Sequence, residues 1–206
     1  MGVRNVIFDF GGIIVDLDKQ AAIDAFARLG LDVRAYVDDY VQGGLFAAME
    51  TGRMSPAEFG AEVRALMGHE VPDDAIFQAW DSMLTRIPLQ RLQYIRALRA
   101  RCHTYMLSNT NALHWDYSRR VLLADAGLRM EDCFDRIFLS YELHLAKPDP
   151  AVFERVMREA GLRAGETLFV DDSKENCRVA ASLGLQVFHS CRAEDWMVVL
   201  DEELSK

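Results

Sequence analysis

Residues 3–12 read Val3-Arg4-Asn5-Val6-Ile7-Phe8-Asp9-Phe10-Gly11-Gly12, a short apolar run that stops on a carboxylate and two glycines. A strand with one wet face alternates apolar and polar residues, so an unbroken run predicts a strand covered on both faces. Four more such runs follow, Thr104 to Leu107, Arg136 to Leu139, Thr167 to Val170 and Leu185 to Phe188. Between them lie helical patterns. Leu89, Leu92, Ile95, Leu98 and Cys102 fall on one helix face after Pro88. Asp149-Pro150 supplies a cap and a first helical position for the stripe Val152, Phe153, Val156 and Met157, which ends at Gly161. Strand and helix alternate, which predicts an α/β fold, a doubly wound parallel sheet.

One interval breaks the rhythm. From about residue 17 to residue 87 no run reads as a strand, and helical patterns are separated by Gly30, Gly43-Gly44, Gly52 and the stretch from Gly68 to Pro72. Ser55-Pro56-Ala57-Glu58 is a capping box, able to satisfy amide donors at a helix start. The expected organisation is therefore a core domain of residues 1–16 and 88–206 with a helical insertion at 17–87.

The 206 residues carry a formal net charge of -9 and 50% hydrophobic residues, enough for a sizeable core and opposed to the positive field that nucleic acid requires. No basic start precedes a long apolar run, and no membrane span is legible, so a cytoplasmic protein is expected. Cys102, Cys133, Cys177 and Cys191 form no C-x-x-C pair and read as reduced core fillers. His69, His103, His114, His144 and His189 show no ligand spacing. Met49, Met54, Met67 and Met83 read as the core of the insertion. The acidic tail from Glu194 to Glu203, interleaved with Trp196, Val198, Val199 and Leu200, reads as a surface helix.

Chemistry gathers where an open parallel sheet places its ligands, past the carboxyl ends of strands. Asp9-Phe10-Gly11-Gly12 follows the first run, Ser108-Asn109-Thr110-Asn111 the second, Lys147-Pro148 lies beyond the third, and Asp171-Asp172-Ser173 follows the fourth. Carboxylates crowded together repel unless a cation sits among them, and Mg²⁺ prefers such oxygen ligands. Lys147 adds positive charge, and the Ser108 hydroxyl can hold a phosphate oxygen. One carboxylate would attack phosphorus while metal and lysine neutralise developing charge. Capping is the competing role: Asp9, Ser108 and Asp171-Asp172 each stand where a following helix could use them.

The pieces FDFGGIIVD, MLSNTN, LAKPDP and LFVDDSKEN together resemble, in order and spacing, the four motifs of the haloacid dehalogenase-like hydrolases. The resemblance implies Asp9 as nucleophile and the Gly11 carbonyl as a metal ligand. It implies Ser108, with Asn109 beside it, as phosphate-binding, and Lys147 as the cation orienting nucleophile and phosphate. Asp171 and Asp172 match the acidic pair of the metal site, with Asp172 the stronger choice for direct coordination, and Asn176 supports that loop. The insertion is similar to the family's small cap, where substrate choice would reside, and Asp16 falls at its start. Arg53, Arg64, Arg86 and Glu50 are equally plausible substrate contacts by composition.

Most phosphatases of this family carry a second aspartate two positions after the nucleophile as general acid and base; here Gly11 stands there. A bacterial subgroup hydrolysing glucose 1-phosphate is similar in this respect. The expected function is Mg²⁺-dependent hydrolysis of a small phosphorylated metabolite by a monomer or homodimer, without nucleic acid or membrane partners. Without an acid at Gly11, hexose 1-phosphates, whose leaving oxygen tolerates charge, are expected to react better than 6-phosphates. The alternatives are a haloacid dehalogenase, opposed by Asp171-Asp172, a phosphomutase, which normally leans on the missing acid, and a phosphate-binding regulator without turnover, favoured only by Gly11.

Overall fold

The computed structural model describes residues 2–34, 44–190 and 195–204. In chain order the elements are β1 (Asn5–Phe8), β2 (Asp16–Leu17), α1 (Lys19–Arg28), α2 (Gly44–Glu50), α3 (Pro56–Met67), α4 (Asp73–Asp81), β3 (Leu84–Arg86), α5 (Leu89–Leu98) and β4 (His103–Ser108). They continue with α6 (Ala112–Tyr117), β5 (Arg136–Leu139), α7 (Ser140–Leu143), α8 (Pro150–Ala160), β6 (Thr167–Asp171), α9 (Lys174–Ser182), β7 (Gln186–His189) and α10 (Asp195–Glu203). The expected apolar runs form one five-stranded sheet in the order β5-β4-β1-β6-β7, and every pairing in it is parallel.

Both faces of this sheet are covered, as the unbroken runs required. Val6 and Phe8 of β1 share a buried cluster with Leu92, Ile95 and Leu98 of α5 and with Trp196 and Leu200 of α10. Ile7, between them in sequence, points the other way and packs with Phe169, Val152 and Phe153 of α8, and Val179 of α9. This is the two-residue period of a strand acting on two separate interiors. The α8 signals act locally: the Asp149 side chain accepts from the Ala151 amide, and Gly161 closes the helix in the left-handed conformation. The capping box forms as well, with the Ser55 amide donating to Glu58 Oε2 at 2.8 Å.

Three expectations need correction. The interval without strands contains β3, paired antiparallel with β2 through Asp16↔Arg86 and Leu17↔Leu84; strands of two and three residues are too short to show periodicity. The tail helix α10 is no mere surface element, because Trp196 and Leu200 are fully buried. Trp196 meets Phe8 edge-on at 5.3 Å, and its indole N–H donates to the Ile13 carbonyl. Leu89, counted in the inward stripe of α5, is exposed, while Leu92, Ile95, Leu98 and Cys102 are buried. Cys102, Cys133 and Cys177 are buried free thiols; Cys191, Gly43 and Glu194 lie outside the described residues.

The helices between β2 and β3 build their own aromatic centre, where Phe46 lies 4.3 Å from Trp80 and 5.5 Å from Phe59. Met49 is buried there and Met54 and Met67 partly so, whereas Met83, though buried, also lines the main cavity. Among the described residues no helix is long and apolar enough to cross a membrane.

Candidate active site

Strand order determines what meets what. Because β1 lies between β4 and β6, their carboxyl ends bring Ser108, Asp9 and Asp171 together along one edge of the sheet. The Asp9 amide continues the ladder by donating to the Val170 carbonyl at 2.8 Å. Its carboxylate Oδ1 accepts from the Phe10 amide at 2.6 Å and lies 2.8 Å from Lys147 Nζ. Lys147 donates at the same time to Asp171 Oδ2 at 2.7 Å, so one buried ammonium bridges two buried carboxylates.

Lys147 reaches this position on a loop after β5 that Asn109 holds. The Asn109 side-chain amide donates to the Lys147 carbonyl and accepts from the Lys147 amide, both at 2.8 Å. Asn109, expected at the substrate, thus has both ends of its amide engaged with Lys147's backbone, although it lines the cavity. The capping alternatives do not hold for the helices concerned: Asn111 caps α6 and Ser173 caps α9. Ser108 is left fully buried with a hydroxyl that has no protein partner, as a group awaiting a ligand oxygen would be.

Asp9, Asp171 and Asp172 each offer a carboxylate oxygen within 4.8 Å of the others. The Asp171 oxygens are saturated by N–H donors, the Ser173 amide at 2.7 Å, the Asn176 side chain at 3.0 Å and Lys147. This leaves Asp9 and Asp172 as the more available pair. Burial raises the Asp9 carboxyl well above its ordinary range, Lys147 opposes that rise, and Asp171 and Asp172 add to it. Burial and Asp171 raise Asp172 likewise. Burial would lower the Lys147 ammonium, but its two carboxylates outweigh that and hold it above the ordinary value. A divalent cation would reverse the carboxylate shifts, so the donor set fits Mg²⁺. The glycines after Asp9 read from sequence as allowing close backbone approach, and Gly12, at φ +72°, leaves no room for a side chain: a Cβ there would lie 2.2 Å from Asp172 Oδ2. Gly11 borders the same cavity.

That cavity, of about 680 Å³, extends from Asp9 to the helices beyond β2. Asp16 lines it but is held by Arg91 at 2.8 Å and Arg86 at 2.6 Å. Burial would raise its carboxyl, but these two arginines outweigh burial and hold it below the ordinary range. Glu50 lines the cavity, whereas Arg64 pairs with Asp73 and Arg53 donates to the Thr51 hydroxyl. Thr110 and His114 are further cavity residues outside the sequence-derived set. Nothing in sequence separates them from ordinary helix-start residues.

His114 is buried, stacks on Trp80 at 4.7 Å and donates through Nε2 to the Trp80 carbonyl. Burial lowers its imidazole to about 4, against a weaker opposing pull from the Trp80 hydrogen bond. With the folded value depressed, its stabilising contribution is present above the unfolded value and lost as pH falls toward 4. Asp81 is raised by burial to about 7 and acts in the opposite direction, gaining stability as pH falls. The His114 part amounts to about 2 kcal/mol between pH 7 and pH 5. In urea titrations at these two pH values, His114→Gln should therefore lose about 2 kcal/mol less than wild type. Equal losses in the two proteins would mean that His114 is not held neutral.

The family model of the haloacid dehalogenase-like hydrolases matches residues 3–184. The chain is 36% identical over 195 residues to a D-ribitol-5-phosphate phosphatase of Bacteroides thetaiotaomicron, covering 94% of this chain and 95% of that protein. It is 40% identical over 196 residues to a sesquiterpene phosphatase of Aspergillus oryzae, covering 90% and 89%. A crystal structure of a HAD family enzyme from Bacteroides thetaiotaomicron, a point mutant in complex with magnesium and inorganic phosphate, superposes with a TM-score of 0.93 at 35% identity, over 97% of this chain and 99% of that one. By motif order, sheet topology and sequence, this chain belongs to the haloacid dehalogenase-like hydrolases.

Proposed function

We propose that the protein is a Mg²⁺-dependent phosphatase of a small phosphorylated sugar or polyol, working through an aspartyl phosphate on Asp9. The observation that carries this reading is the Lys147 bridge between Asp9 and Asp171, with Asp172 in the same carboxylate cluster and the unpartnered Ser108 hydroxyl close by in the fold. The named phosphatase relatives and the magnesium and phosphate bound by a neighbour support it.

Asp9 attacks phosphorus, Lys147 orients the attacking carboxylate and offsets charge on the phosphoryl oxygens, and Ser108 donates to one of those oxygens. Asp9, Asp172 and the Gly11 carbonyl would hold Mg²⁺, with Asp171 contributing charge and anchoring Lys147. The ion supplies charge neutralisation and orientation of the phosphate. Residues 17–87 act as a cap that limits water and selects substrate. The cavity is of a size suited to a small metabolite. Buried free thiols support a reducing, cytoplasmic setting.

Two substrate readings have specific support. The relative's name points to a phosphate on a primary carbon of an acyclic polyol, and Gly11 favours hexose 1-phosphates where no other residue supplies the proton to the leaving oxygen. A panel of ribitol 5-phosphate, hexose 1-phosphate and hexose 6-phosphate, each with Mg²⁺ and with excess chelator, tests both. Turnover should require the metal, and Asp172→Ala should raise the Mg²⁺ needed. Full turnover in chelator would sink the metal assignment and reopen the dehalogenase reading; binding of phosphate without turnover of any ester would favour the regulator.

A further inference from the structure

A phosphate ester of an ordinary alcohol leaves badly as an alkoxide, and a positioned acid typically accelerates such a step by about 10² to 10⁴. Position 11, where a carboxyl would serve, holds glycine, and a Cβ there would lie 3.1 Å from the Leu17 side chain. The cavity presents other titratable groups, and most are committed. Asp16 is held ionised by Arg86 and Arg91. His114 is held neutral with its N–H on the Trp80 carbonyl. Asp18 caps α1 by accepting from the Ala21 amide. Asp172 belongs to the metal cluster, and Lys147 to Asp9 and Asp171.

Glu50 differs from all of these. It is the last residue of α2 and lines the cavity, and among the described residues no hydrogen bond or ion pair engages its carboxyl. The backbone that follows it is fastened to the core. The Thr51 carbonyl accepts from His144 Nδ1 at 3.0 Å, and Gly52, at φ +65°, lies so close that a Cβ would sit 2.1 Å from the Tyr141 carbonyl oxygen. Tyr141 and His144 belong to the segment between β5 and Lys147, so Glu50 and Lys147 are placed by one contact between cap and core.

Resting on the phosphatase reading above, we infer that Glu50 is the proton donor and acceptor that replaces the acid missing at Gly11. As Asp9 forms its bond to phosphorus, the bond from phosphorus to the alcohol oxygen breaks, its electron pair leaves with that oxygen, and the Glu50 proton converts it to the neutral alcohol. Water then attacks the aspartyl phosphate and gives a proton to the Glu50 carboxylate. The Asp9–phosphorus bond breaks with its electrons returning to Asp9, hydrogen phosphate departs, and Glu50 is protonated again. Enclosure of the carboxyl pushes it up to about 7, against the pull of Lys147 and Lys19, which suits both halves of this cycle.

The test measures kcat/KM with Mg²⁺ for an alkyl phosphate and for 4-nitrophenyl phosphate, whose leaving group needs no proton. The ratio kcat/KM reports the steps up to departure of the leaving group. Glu50→Gln should fall about 10²-fold on the alkyl ester and less than about 10-fold on the aryl ester, with an unchanged melting temperature. Adding Gly11→Asp to Glu50→Gln should restore most of the alkyl activity, and Glu50→Ala should repeat the selective loss. Equal losses on both esters, no loss on either, or no rescue by Gly11→Asp would each overturn the role of Glu50. Asp9→Asn run alongside keeps the two readings apart: an active Asp9→Asn defeats the phosphatase mechanism itself, whereas an inactive Asp9→Asn with an unaffected Glu50→Gln defeats only this inference.

Discussion

Asp9→Asn should keep the fold and lose about 10³-fold or more in turnover on every phosphate ester, aryl or alkyl. The amide oxygen can still accept from the Phe10 amide and from Lys147, the two contacts that hold Asp9 Oδ1. The surrounding loop therefore has no reason to move. On the proposed mechanism, what disappears is the nucleophilic carboxylate, and neither Lys147 nor Ser108 would form the phosphoenzyme in its place. Circular dichroism and thermal melting check the fold, and single-turnover assays with Mg²⁺ check the chemistry. A folded variant with near-normal turnover would remove Asp9 from the nucleophile's role.

Lys147→Met should be the most damaging change to stability near the site. Lys147 and Asp171 are almost completely buried and Asp9 nearly so, and without the ammonium two carboxylates are left close together in a dry setting. Removing one partner of a buried ion pair typically costs about 3–5 kcal/mol. Urea unfolding without metal should show a loss of that order, and kcat should fall by about 10² or more once the cation beside the phosphoryl group is gone. Lys147→Arg should recover little of either, because a planar guanidinium does not fit the place of a compact ammonium bonded to both carboxylates. A Lys147→Met protein as stable and active as wild type would mean that the bridge contributes neither packing energy nor charge.

The sheet was legible because its strands are buried on both faces, which leaves a continuous apolar signature in Val6-Ile7-Phe8 and its counterparts. The same runs located Asp9, Ser108 and Asp171 at strand ends and Lys147 beyond the third run, and the structure brings these residues together. Elements with no periodicity were illegible. β2 and β3 are held by cross-strand pairing alone, and the burial of Trp196 depends on Phe8 and Ile13, far away in the chain. Glu50 could not be told from Arg53 or Arg64 by composition, since only the contact of Thr51 and Gly52 with the core decides which side chain faces the cavity. Asn109 shows the limit from the other side, a polar residue in the expected place whose amide serves the backbone of Lys147.

The β2–β3 ribbon also bears on how such a chain can change over evolutionary time. Its two strands run antiparallel and pair Asp16 with Arg86 and Leu17 with Leu84, so everything between them is, topologically, the tip of a hairpin. A hairpin tip can be lengthened, shortened or exchanged without altering the register of any strand in the parallel sheet, because the chain leaves and returns at neighbouring points. On the proposed division of roles, reaction chemistry built on strands whose order is fixed and substrate selection by a segment joined through one small ribbon would thereby be free to diversify at different rates.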